Sequence, residues 1–471
     1  MQGEFFPASD RPELLVSLTL PQNVSQAQTH RDVLKFEAKL RDNPDIDHYS
    51  SYIGSGAVRF YLPMDVLLQK ENIAQLVVVA KNEAARNRLQ KQLEQILSKD
   101  FSTLTTRVST LELGPPVGWP VRYRVSGPDN TRVRELATQL AGMIARNPDT
   151  RGVNLTSGEP ERVIRLRVDQ TQARATGMTS QSLAGTLATL FSGTTVTTLR
   201  DRNRQIDVVL RGNEASRQNP ALLNALMLTS STGNKVPLGQ VATPEWTLDD
   251  PVIWRRQRLP FITVQSDTAP GVRAETVSSA LSPVVAGFRE SLPPGYSVEE
   301  GGVVVESEKG NSSVYAVLPV TLMVMLLLLM IQLQRFSSML LALLMAPFGL
   351  PGIVVAMLPF GIPMGFVALL GIIALAGMII RNAVILISEV DVGMKNGFTA
   401  DEAIKVAALH RSRPIMLTAS AAILGMLPIA RDVFWGPMAF AIIGGLLSAT
   451  LATLTLLPAA ISLIFHWKPY P

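Results

Sequence analysis

The chain contains no cysteine, few charged residues and only four histidines. The absence of cysteine excludes disulfide bonds and thiolate chemistry, and it suits an oxidising compartment. Charged residues make up 17% of the 471 residues, below the roughly 25% of an average soluble protein. No metal-ligand or catalytic-triad spacing joins the histidines, so neither an enzyme nor a histidine metal site is expected. They are His30, His48, His410 and His466.

Two common functional motifs are also missing. No GxxxxGK[ST] loop occurs, so the sequence predicts no direct use of ATP. The net charge of +5 comes from basic residues that are dispersed along the chain, without a nucleic-acid-binding motif beside them. Nucleic acid is therefore not expected as a partner.

Long apolar runs are confined to the second part of the chain. Residues 1–310 have the composition of a soluble protein, whereas residues 313–466 hold nearly all of these runs. About twenty apolar residues in a helix cross the ~30 Å hydrocarbon layer. The sequence therefore predicts a polytopic bundle of five helices in a lipid bilayer. The predicted spans are Ser313–Leu333, Met339–Leu358, Phe366–Ser388, Pro414–Ile429 and Met438–Phe465.

The basic residues between the spans predict the orientation of the bundle. Gln334-Arg335, the connector 389–413 with Lys395, Lys405, Arg411 and Arg413, and the tail with Lys468 lie on one side, and each carries basic residues. Pro359–Pro363 on the other side has no basic residue, and Arg431–Pro437 has one. Basic loops stay in the cytoplasm. An odd number of spans then places residues 1–310 outside the cytoplasm.

Strands and helices alternate along residues 1–310. Strand–helix–strand modules that occur in pairs predict α/β subdomains of the split βαβ, ferredoxin-like kind, although a generic α+β domain gives the same pattern. Residues 193–250 interrupt this alternation with a Thr- and Arg-rich hairpin and a turn at Thr232-Gly233-Asn234, and they predict a small insertion domain. The predicted helices are Ser25–Leu40, Glu83–Leu97, Thr131–Arg146 and Ala274–Leu292.

A single arginine, Arg381, interrupts the third predicted span. Gly377, Arg381 and Ser388 fall on one helix face, because they are four and seven residues apart. An arginine inside a span costs a few kcal/mol or more unless it faces the protein interior and finds partners. Two interpretations remain open. Arg381 extends to the membrane surface, or it is an intramembrane charge that takes part in proton movement.

The connector before the fourth span predicts a helix that continues into the membrane. Thr399 and Glu402 fit a capping box at its start. If the helix runs through Pro414, then Arg411 and Thr418 share a face and lie at the mouth of a proton path. Anchoring at the membrane surface explains Arg411 equally well, and a threonine often bonds a carbonyl one turn back. In the last span Gly444, Ser448 and Ala452 form a small-xxx-small pattern that is typical of close helix packing.

Several sequence blocks resemble the resistance-nodulation-division (RND) family of efflux transporters. In the membrane part these blocks are PFGLPGIVVAM, ALLGIIALAGMIIRNAVILI, LHRSRPIMLTASAAILGMLPIA and FWGPMAFAIIGGLLSATLATLTLLPA. The blocks ELGPPVGWPVRYRVSGP and DDPVIWRRQRLPFITV resemble the porter region of the drug-exporting (hydrophobe/amphiphile) branch, most closely its TriC-like members. The chain resembles only the second half of such a transporter.

This resemblance implies a proton-driven antiporter without a cofactor, located in the bacterial inner membrane with residues 1–310 in the periplasm. Its partners would be the N-terminal half of the transporter, two further copies in a homotrimer, a periplasmic adaptor, an outer-membrane channel and small hydrophobic substrates. Residues 1–113 would form the first porter subdomain, and 114–192 with 251–310 the second. Residues 193–250 would be a docking insertion whose hairpin reaches a neighbouring protomer, and 311–471 the transmembrane bundle.

The resemblance also implies a proton relay. In the family a lysine of the tenth span pairs with two aspartates of the fourth, supported by a threonine and an arginine of the eleventh. The corresponding residues here are Arg381, Thr418 and Arg411, and the aspartates belong to the absent half. Arginine essentially never loses its proton, so those aspartates would titrate while Arg381 changes partners as a fixed charge. Asn382 would orient that pair.

A loop of the first subdomain would line the substrate pocket. The block SYIGSGAVRFY corresponds to this loop in the family. Its glycines, Gly54 and Gly56, would permit movement, and Tyr52, Phe60 and Tyr61 would offer aromatic contacts to apolar substrates. The alternation in Arg59-Phe60-Tyr61 is also typical of an ordinary strand.

Two alternative functions stay open. A heavy-metal exporter of the sister branch would favour thioether or thiolate ligands. Cysteine is absent, and the methionines of the soluble part, Met64, Met143, Met178 and Met227, are scattered. A non-transporting, membrane-anchored fragment or scaffold is the other alternative, because half of the relay is missing.

Overall fold

The computed structural model describes residues 6, 9–114, 118–214, 217, 219–230 and 233–467. Thr232 of the predicted turn and Lys468 of the predicted basic tail lie outside these residues. Contacts divide the chain into two compact units, Met1–Gly158 with Ile253–Pro471, and Glu159–Val252. The larger unit holds two α/β lobes and the membrane helices.

The first lobe has the element order strand, helix, strand, strand, helix, strand. Its four strands form an antiparallel sheet in the order β2-β3-β1-β4, so β3 lies between β1 and β2. Both helices bury an apolar stripe, which includes Phe36 of α1 and Leu93 of α2. The elements are β1 (Glu13–Thr19), α1 (Gln26–Leu40), β2 (Ile46–Ile53), β3 (Ile73–Ala80), α2 (Glu83–Asp100) and β4 (Thr105–Thr110).

The second lobe is assembled from two separate stretches of the chain. Its central strands β5 and β14 pair antiparallel, β15 adds to β5, and β6 and β13 add to β14. Two helices bury apolar faces in its core, which includes Leu140 of α3 and Leu281 of α7. The elements are β5 (Val121–Ser126), α3 (Asn130–Ile144), β6 (Thr150–Leu155), β13 (Trp254–Arg256), β14 (Leu259–Thr268), α7 (Ala274–Glu290) and β15 (Ser297–Gly302).

The smaller unit begins earlier than the sequence predicts. The predicted insertion covers 193–250 and leaves the strand at Val163–Val168 in the second porter subdomain. In the structure β7 (Glu161–Val168) pairs over its whole length with β12 (Ala242–Asp249), and the unit runs from Glu159 to Val252. The pairing joins residues that are far apart in the chain, and it groups residues 159–192 with the predicted insertion in one compact unit.

The predicted exposed hairpin is present in the smaller unit. Strands β8 (Thr194–Asp201) and β9 (Arg204–Leu210) pair with each other, and every residue of both strands is exposed. The remaining elements surround a small core that includes Leu228 and Leu238. They are α4 (Gln170–Ala175), α5 (Ser180–Phe191), β10 (Met227–Thr229), β11 (Lys235–Pro237) and α6 (Leu238–Val241).

Five described helices are long and apolar enough to cross a bilayer, as predicted. Three of them extend past the predicted apolar runs: one begins at Val303 instead of Ser313, one ends at Lys395 instead of Ser388, and one begins at Ala400 instead of Pro414. The connector helix starts at the Thr399–Glu402 capping box and continues unbroken past Pro414. The spans are α8 (Val303–Leu333), α9 (Phe336–Leu344) with α10 (Leu350–Met357), α11 (Phe366–Lys395), α12 (Ala400–Met426) and α13 (Gly436–Trp467).

The last span packs very closely against α10. A Cβ placed on Gly352 would lie 2.1 Å from the Gly444 carbonyl oxygen, so only glycine fits there. The Ser448 hydroxyl donates to the carbonyl of Phe348 at 2.8 Å, and Ala452 is buried. The predicted small-xxx-small packing of the last span is thereby confirmed.

Candidate functional site

Arg381 lies on a face of α11 that this chain leaves uncovered. Ala374, Gly377, Arg381 and Ile385 are all exposed, and their spacing of three or four residues makes them one stripe along the helix. The opposite face of α11 packs into the bundle core. No described carboxylate lies within ion-pair distance of the Arg381 guanidinium. The positive charge of Arg381 therefore lies on an uncovered face of a packed helix, where no described residue supplies a counter-ion.

Asn382 points away from this uncovered face. Its side chain is 4% exposed and packs inside the bundle, whereas Arg381 next to it is exposed. Successive helical residues are about 100° apart around the axis, which separates the two side chains. No hydrogen bond joins them among the described residues, so this chain alone does not bring Asn382 to Arg381.

Arg411 pairs with a carboxylate that the sequence interpretation did not single out. Its Nε donates to Glu389 Oε2 at 3.0 Å, and its Nη2 donates to the same oxygen. The pair joins α12 to the end of α11, eight residues beyond Arg381. Both side chains are partly exposed. Sequence spacing offers no signal for this contact, because the two residues lie on different helices.

Thr418 is exposed on α12 and bonds its own helix. Its hydroxyl donates to the Ile415 carbonyl at 3.1 Å, which is the back-bonding expected of a threonine in a helix. Arg411 and Thr418 lie on one helix, as predicted, because α12 continues without a break from Ala400 to Met426.

The predicted aromatic residues of the porter loop separate into two environments. Tyr52 and Tyr61 pack beside Leu15 and Met64 in a small apolar cluster. The Tyr61 hydroxyl accepts a hydrogen bond from the Glu112 amide at 3.2 Å, and burial raises the pKa of this hydroxyl. Phe60 is exposed and lies beside the Tyr61 ring, with its own ring 5.7 Å from the Arg11 guanidinium.

Both glycines of this loop have structural reasons to be glycine. Gly54 has a φ of +75°, donates to the Ile73 carbonyl and accepts from the Lys70 amide, so it closes the base of the loop. A Cβ on Gly56 would lie 2.9 Å from the Cβ of Leu67. The positive φ of Gly54 and the close packing at Gly56 therefore each favour glycine.

A cleft lies between the two α/β lobes, and sequence reasoning did not anticipate its lining. Its volume is about 800 Å³, and none of the five predicted pocket residues lines it. Strand β4 and helix α2 of the first lobe form one wall. Strand β14 and the start of α7 form the other. Its apolar lining includes Phe6, Leu97, Leu113, Trp119, Pro270 and Val303.

An ion pair spans this cleft. Arg107 of β4 donates from Nε to Asp267 Oδ2 of β14 at 2.9 Å. The same guanidinium lies 5.1 Å from the centre of the Trp119 ring. Both partners are at least two-thirds buried, so the pair is better shielded from water than a surface ion pair.

The described residues contain no cluster of three or more His, Asp or Glu side chains suited to a metal ion. Met64 is buried in the first lobe and Met178 in the smaller unit, so these two sit in separate cores. Met143 and Met227 are exposed on different elements. The four methionines are therefore as scattered in the fold as they are in the sequence.

Curated proteins similar to this chain include exporters of both metals and drugs. The cobalt-zinc-cadmium resistance protein CzcA of Cupriavidus metallidurans is 28% identical over 352 residues, which cover 72% of this chain and 32% of that protein. The multidrug export protein AcrF of Escherichia coli is 23% identical over 480 residues, which cover 97% of this chain and 45% of that protein. This chain thus spans about half the length of such relatives.

A crystal structure of a heavy metal efflux pump has the same fold. It matches 99% of this chain and 48% of its own with a TM-score of 0.80 and 23% sequence identity. The family model described as AcrB/AcrD/AcrF matches residues 1–465. This chain, with its five spans and two α/β lobes, therefore belongs to the AcrB/AcrD/AcrF family of RND efflux transporters.

Proposed function

We propose that this chain acts as the C-terminal half of a proton-driven transporter that exports hydrophobic or amphiphilic compounds. The observation that carries the proposal is Arg381, a fixed positive charge on an uncovered face of a packed membrane helix. A charge in that position is costly in lipid and marks an ion pathway when another helix supplies its partner. In this proposal the N-terminal half packs on this face and supplies the acidic groups that pair with Arg381.

Proton movement would follow from the chemistry of arginine. The guanidinium keeps its proton, so carboxylates of the N-terminal half would take up and release protons while Arg381 changes partners. Arg411 and Thr418 on α12 would line the cytoplasmic part of this path. The bilayer proton gradient is the only energy source that the proposal needs, and no cofactor takes part.

The lobes would be porter subdomains of the split βαβ kind, placed in the periplasm before the first span of an inner-membrane protein. The position of β3 between β1 and β2 supports this interpretation of the first lobe. The cleft between the lobes would admit substrate. The exposed β8–β9 hairpin would dock on a neighbouring copy in a homotrimer, and an adaptor and an outer-membrane channel would complete the export route.

Heavy-metal export is a second candidate, because CzcA and the heavy metal efflux pump are among the similar proteins. The absence of cysteine and the separation of the methionines favour the organic substrates. Metal-stimulated proton uptake that is lost on changing Met64 or Met178 to leucine would favour the metal.

The test of the proposal is the Arg381→Ala variant in the complete transporter. We expect this variant to assemble in the membrane in normal amounts but to export nothing, because the carboxylates lose their fixed counter-charge. Arg381→Lys keeps a positive charge and should retain part of the activity. Efflux of a fluorescent hydrophobic dye from cells and proton uptake in vesicles are the two measurements.

The matched control is Arg413→Ala, which removes an exposed arginine of α12 that has no described ion-pair partner. It should export dye as the unchanged transporter does. Normal efflux by Arg381→Ala would remove Arg381 from the mechanism. Association of the unchanged chain with adaptor proteins, without any proton flux, would instead favour a membrane-anchored scaffold.

A further inference from the structure

A small pocket lies between three membrane helices, at the end of the bundle that carries the basic connections. Arg335, Ser337 and Ser338 line it from the start of α9, and Asp391 lines it from the end of α11. Its other walls are apolar, and they are formed by Leu341, Ile387, Val390 and Ile461. The pocket therefore combines one cation, one carboxylate and two hydroxyl groups with apolar walls. Neither the proposed proton path nor the lobes use any of these residues.

Asp391 presents a carboxylate to this pocket. It is half-buried near the end of α11, and its neighbours Ile387 and Val390 are buried. No described hydrogen bond or ion pair reaches its oxygens, and the positive charges that act on it are those of Arg335 and Lys395. A half-buried carboxylate without a hydrogen-bond donor is costly. A cationic group that donates hydrogen bonds to Asp391 would lower this cost.

The α9 side of the pocket suits an anion. Arg335 precedes the first residue of α9, and Ser337 and Ser338 lie in the first turn of that helix. No described side chain caps this helix start, so the backbone N–H groups of the first turn remain available to another acceptor. A guanidinium, hydroxyl groups and the N–H groups of a helix start are donors that suit a phosphate group.

The size and the surroundings of the pocket restrict the ligand further. Its volume of about 20 Å³ accommodates a group of the size of a water molecule, such as a primary ammonium group. A trimethylammonium group is much larger and does not fit. Beside the pocket, Phe336, Leu340 and Leu344 form an exposed apolar stripe along α9, because they are four residues apart. The acyl chains of a lipid can lie along this stripe while its head group enters the pocket.

We propose that this pocket binds the head group of phosphatidylethanolamine, a membrane lipid that carries a primary ammonium group and a phosphate. The ammonium group donates to Asp391, and the phosphate accepts from Arg335 and the start of α9. A purely anionic head group brings no cation to Asp391 and is repelled by it. The proposed orientation places this site in the cytoplasmic leaflet. The lipid is a bound ligand and not exported cargo, so the inference does not depend on the proposed export function.

Phospholipids with the same acyl chains and increasingly methylated head groups test the proposal. Phosphatidylethanolamine, its N,N-dimethyl derivative and phosphatidylcholine are each titrated onto the complete transporter, purified and delipidated in detergent, and native mass spectrometry measures the Kd of the first lipid bound per chain. We expect the Kd for phosphatidylcholine to be about tenfold higher than that for phosphatidylethanolamine, because its head group donates no hydrogen bond to Asp391. The dimethyl derivative should lie between the two.

Two variants assign the two halves of the head group. Asp391→Asn should raise the Kd for phosphatidylethanolamine about tenfold and leave that for phosphatidylcholine unchanged, because only the ammonium contact is lost. Arg335→Gln should weaken both lipids, since both carry the phosphate, and Arg335→Lys should restore part of the binding. Asp401→Asn is the matched control, because it removes an exposed carboxylate at the start of α12, and it should change neither Kd.

Equal Kd values of the unchanged transporter for phosphatidylethanolamine and phosphatidylcholine would overturn the proposal, and this comparison requires no variant to fold. Tighter binding of phosphatidylglycerol than of phosphatidylethanolamine would show a preference for anionic lipid and would overturn it as well. Lipid binding needs no proton gradient, so Arg381→Ala should bind phosphatidylethanolamine normally. The lipid site and the proposed export function can therefore fail separately.

Discussion

At the scale of single residues, two arginines of the membrane helices differ in whether a described carboxylate pairs with them. Arg381 is exposed on α11 without a described partner, and Arg411 holds Glu389. The two arginines have the same chemistry, so their surroundings alone distinguish them. The pair of Arg411 with Glu389 joins two helices of this chain, whereas Arg381, inside a span, would need a partner from outside the chain.

A half-buried carboxylate at the end of the second lobe, Glu300, gives a pH-dependent stability. Burial raises the pKa of Glu300, and the negative charge of Glu308 adds to the effect. The Glu300 carboxyl group therefore stays protonated up to a higher pH in the folded state than in the unfolded state. Glu300 contributes most to the free energy of unfolding below its ordinary pKa. This contribution is lost as the pH rises through the raised pKa of the folded state.

We therefore predict that Glu300→Gln raises the midpoint of thermal unfolding of the purified protein at about pH 7.5 and leaves it unchanged near pH 4. The glutamine keeps the shape of the side chain without the half-buried charge. Glu299→Gln is the control, because the exposed Glu299 carboxylate pairs with Arg124 at 3.2 Å, and this variant should give no gain at either pH. A lower midpoint for Glu300→Gln at the higher pH would contradict the argument.

At the scale of elements, glycine contacts decide how the membrane helices pack. A Cβ on Gly444 would lie 2.3 Å from both the Ala356 Cβ and the Gly352 carbonyl oxygen. Two backbones at this distance cannot accommodate a side chain without moving apart. The contact between α10 and α13 therefore leaves no room for a side chain at Gly444.

Gly444→Val should destabilise the bundle by about 1–3 kcal/mol or more, because overpacking forces a tightly packed contact apart. Gly425→Val in α12 is the matched control, since nothing lies within 4 Å of a Cβ at that position. Thermal unfolding in detergent, followed by helical circular dichroism, compares the two variants. Equal midpoints would show that the α10–α13 contact tolerates a side chain.

At the scale of the whole molecule, the spans and the basic connections together predict the membrane orientation. This prediction places the basic connector after α11 in the cytoplasm, and the two lobes and the smaller unit outside it. The absence of cysteine makes this prediction easy to test, because any introduced thiol is the only one in the chain.

We predict that a membrane-impermeant maleimide labels Asn23→Cys, in the exposed turn that follows β1, in cells with a permeabilised outer membrane. Asn396→Cys, at the end of α11, should be labelled only after the inner membrane is broken. Both residues lie in turns outside any strand or helix, so a thiol is accessible at either position. The reverse labelling pattern would invert the proposed orientation.

Local pattern was sufficient to predict most of the secondary structure. Apolar residues at helical spacing predicted α1, α2, α3 and α7, and long apolar runs predicted all five spans. The small-xxx-small pattern of Gly444, Ser448 and Ala452 predicted a close helix contact, which the structure confirms. These features depend on neighbours within a few turns, and a sequence displays such neighbours directly.

The sequence by itself determined the five membrane spans, the alternation of strands and helices before them, and the presence of one arginine inside a span. Only the tertiary structure decided which distant residues meet. It paired β7 with β12, joined Arg411 to Glu389, and closed a cleft with Arg107 and Asp267, which are 160 residues apart. Contacts of this kind depend on how whole lobes and helices pack, and no local periodicity records them.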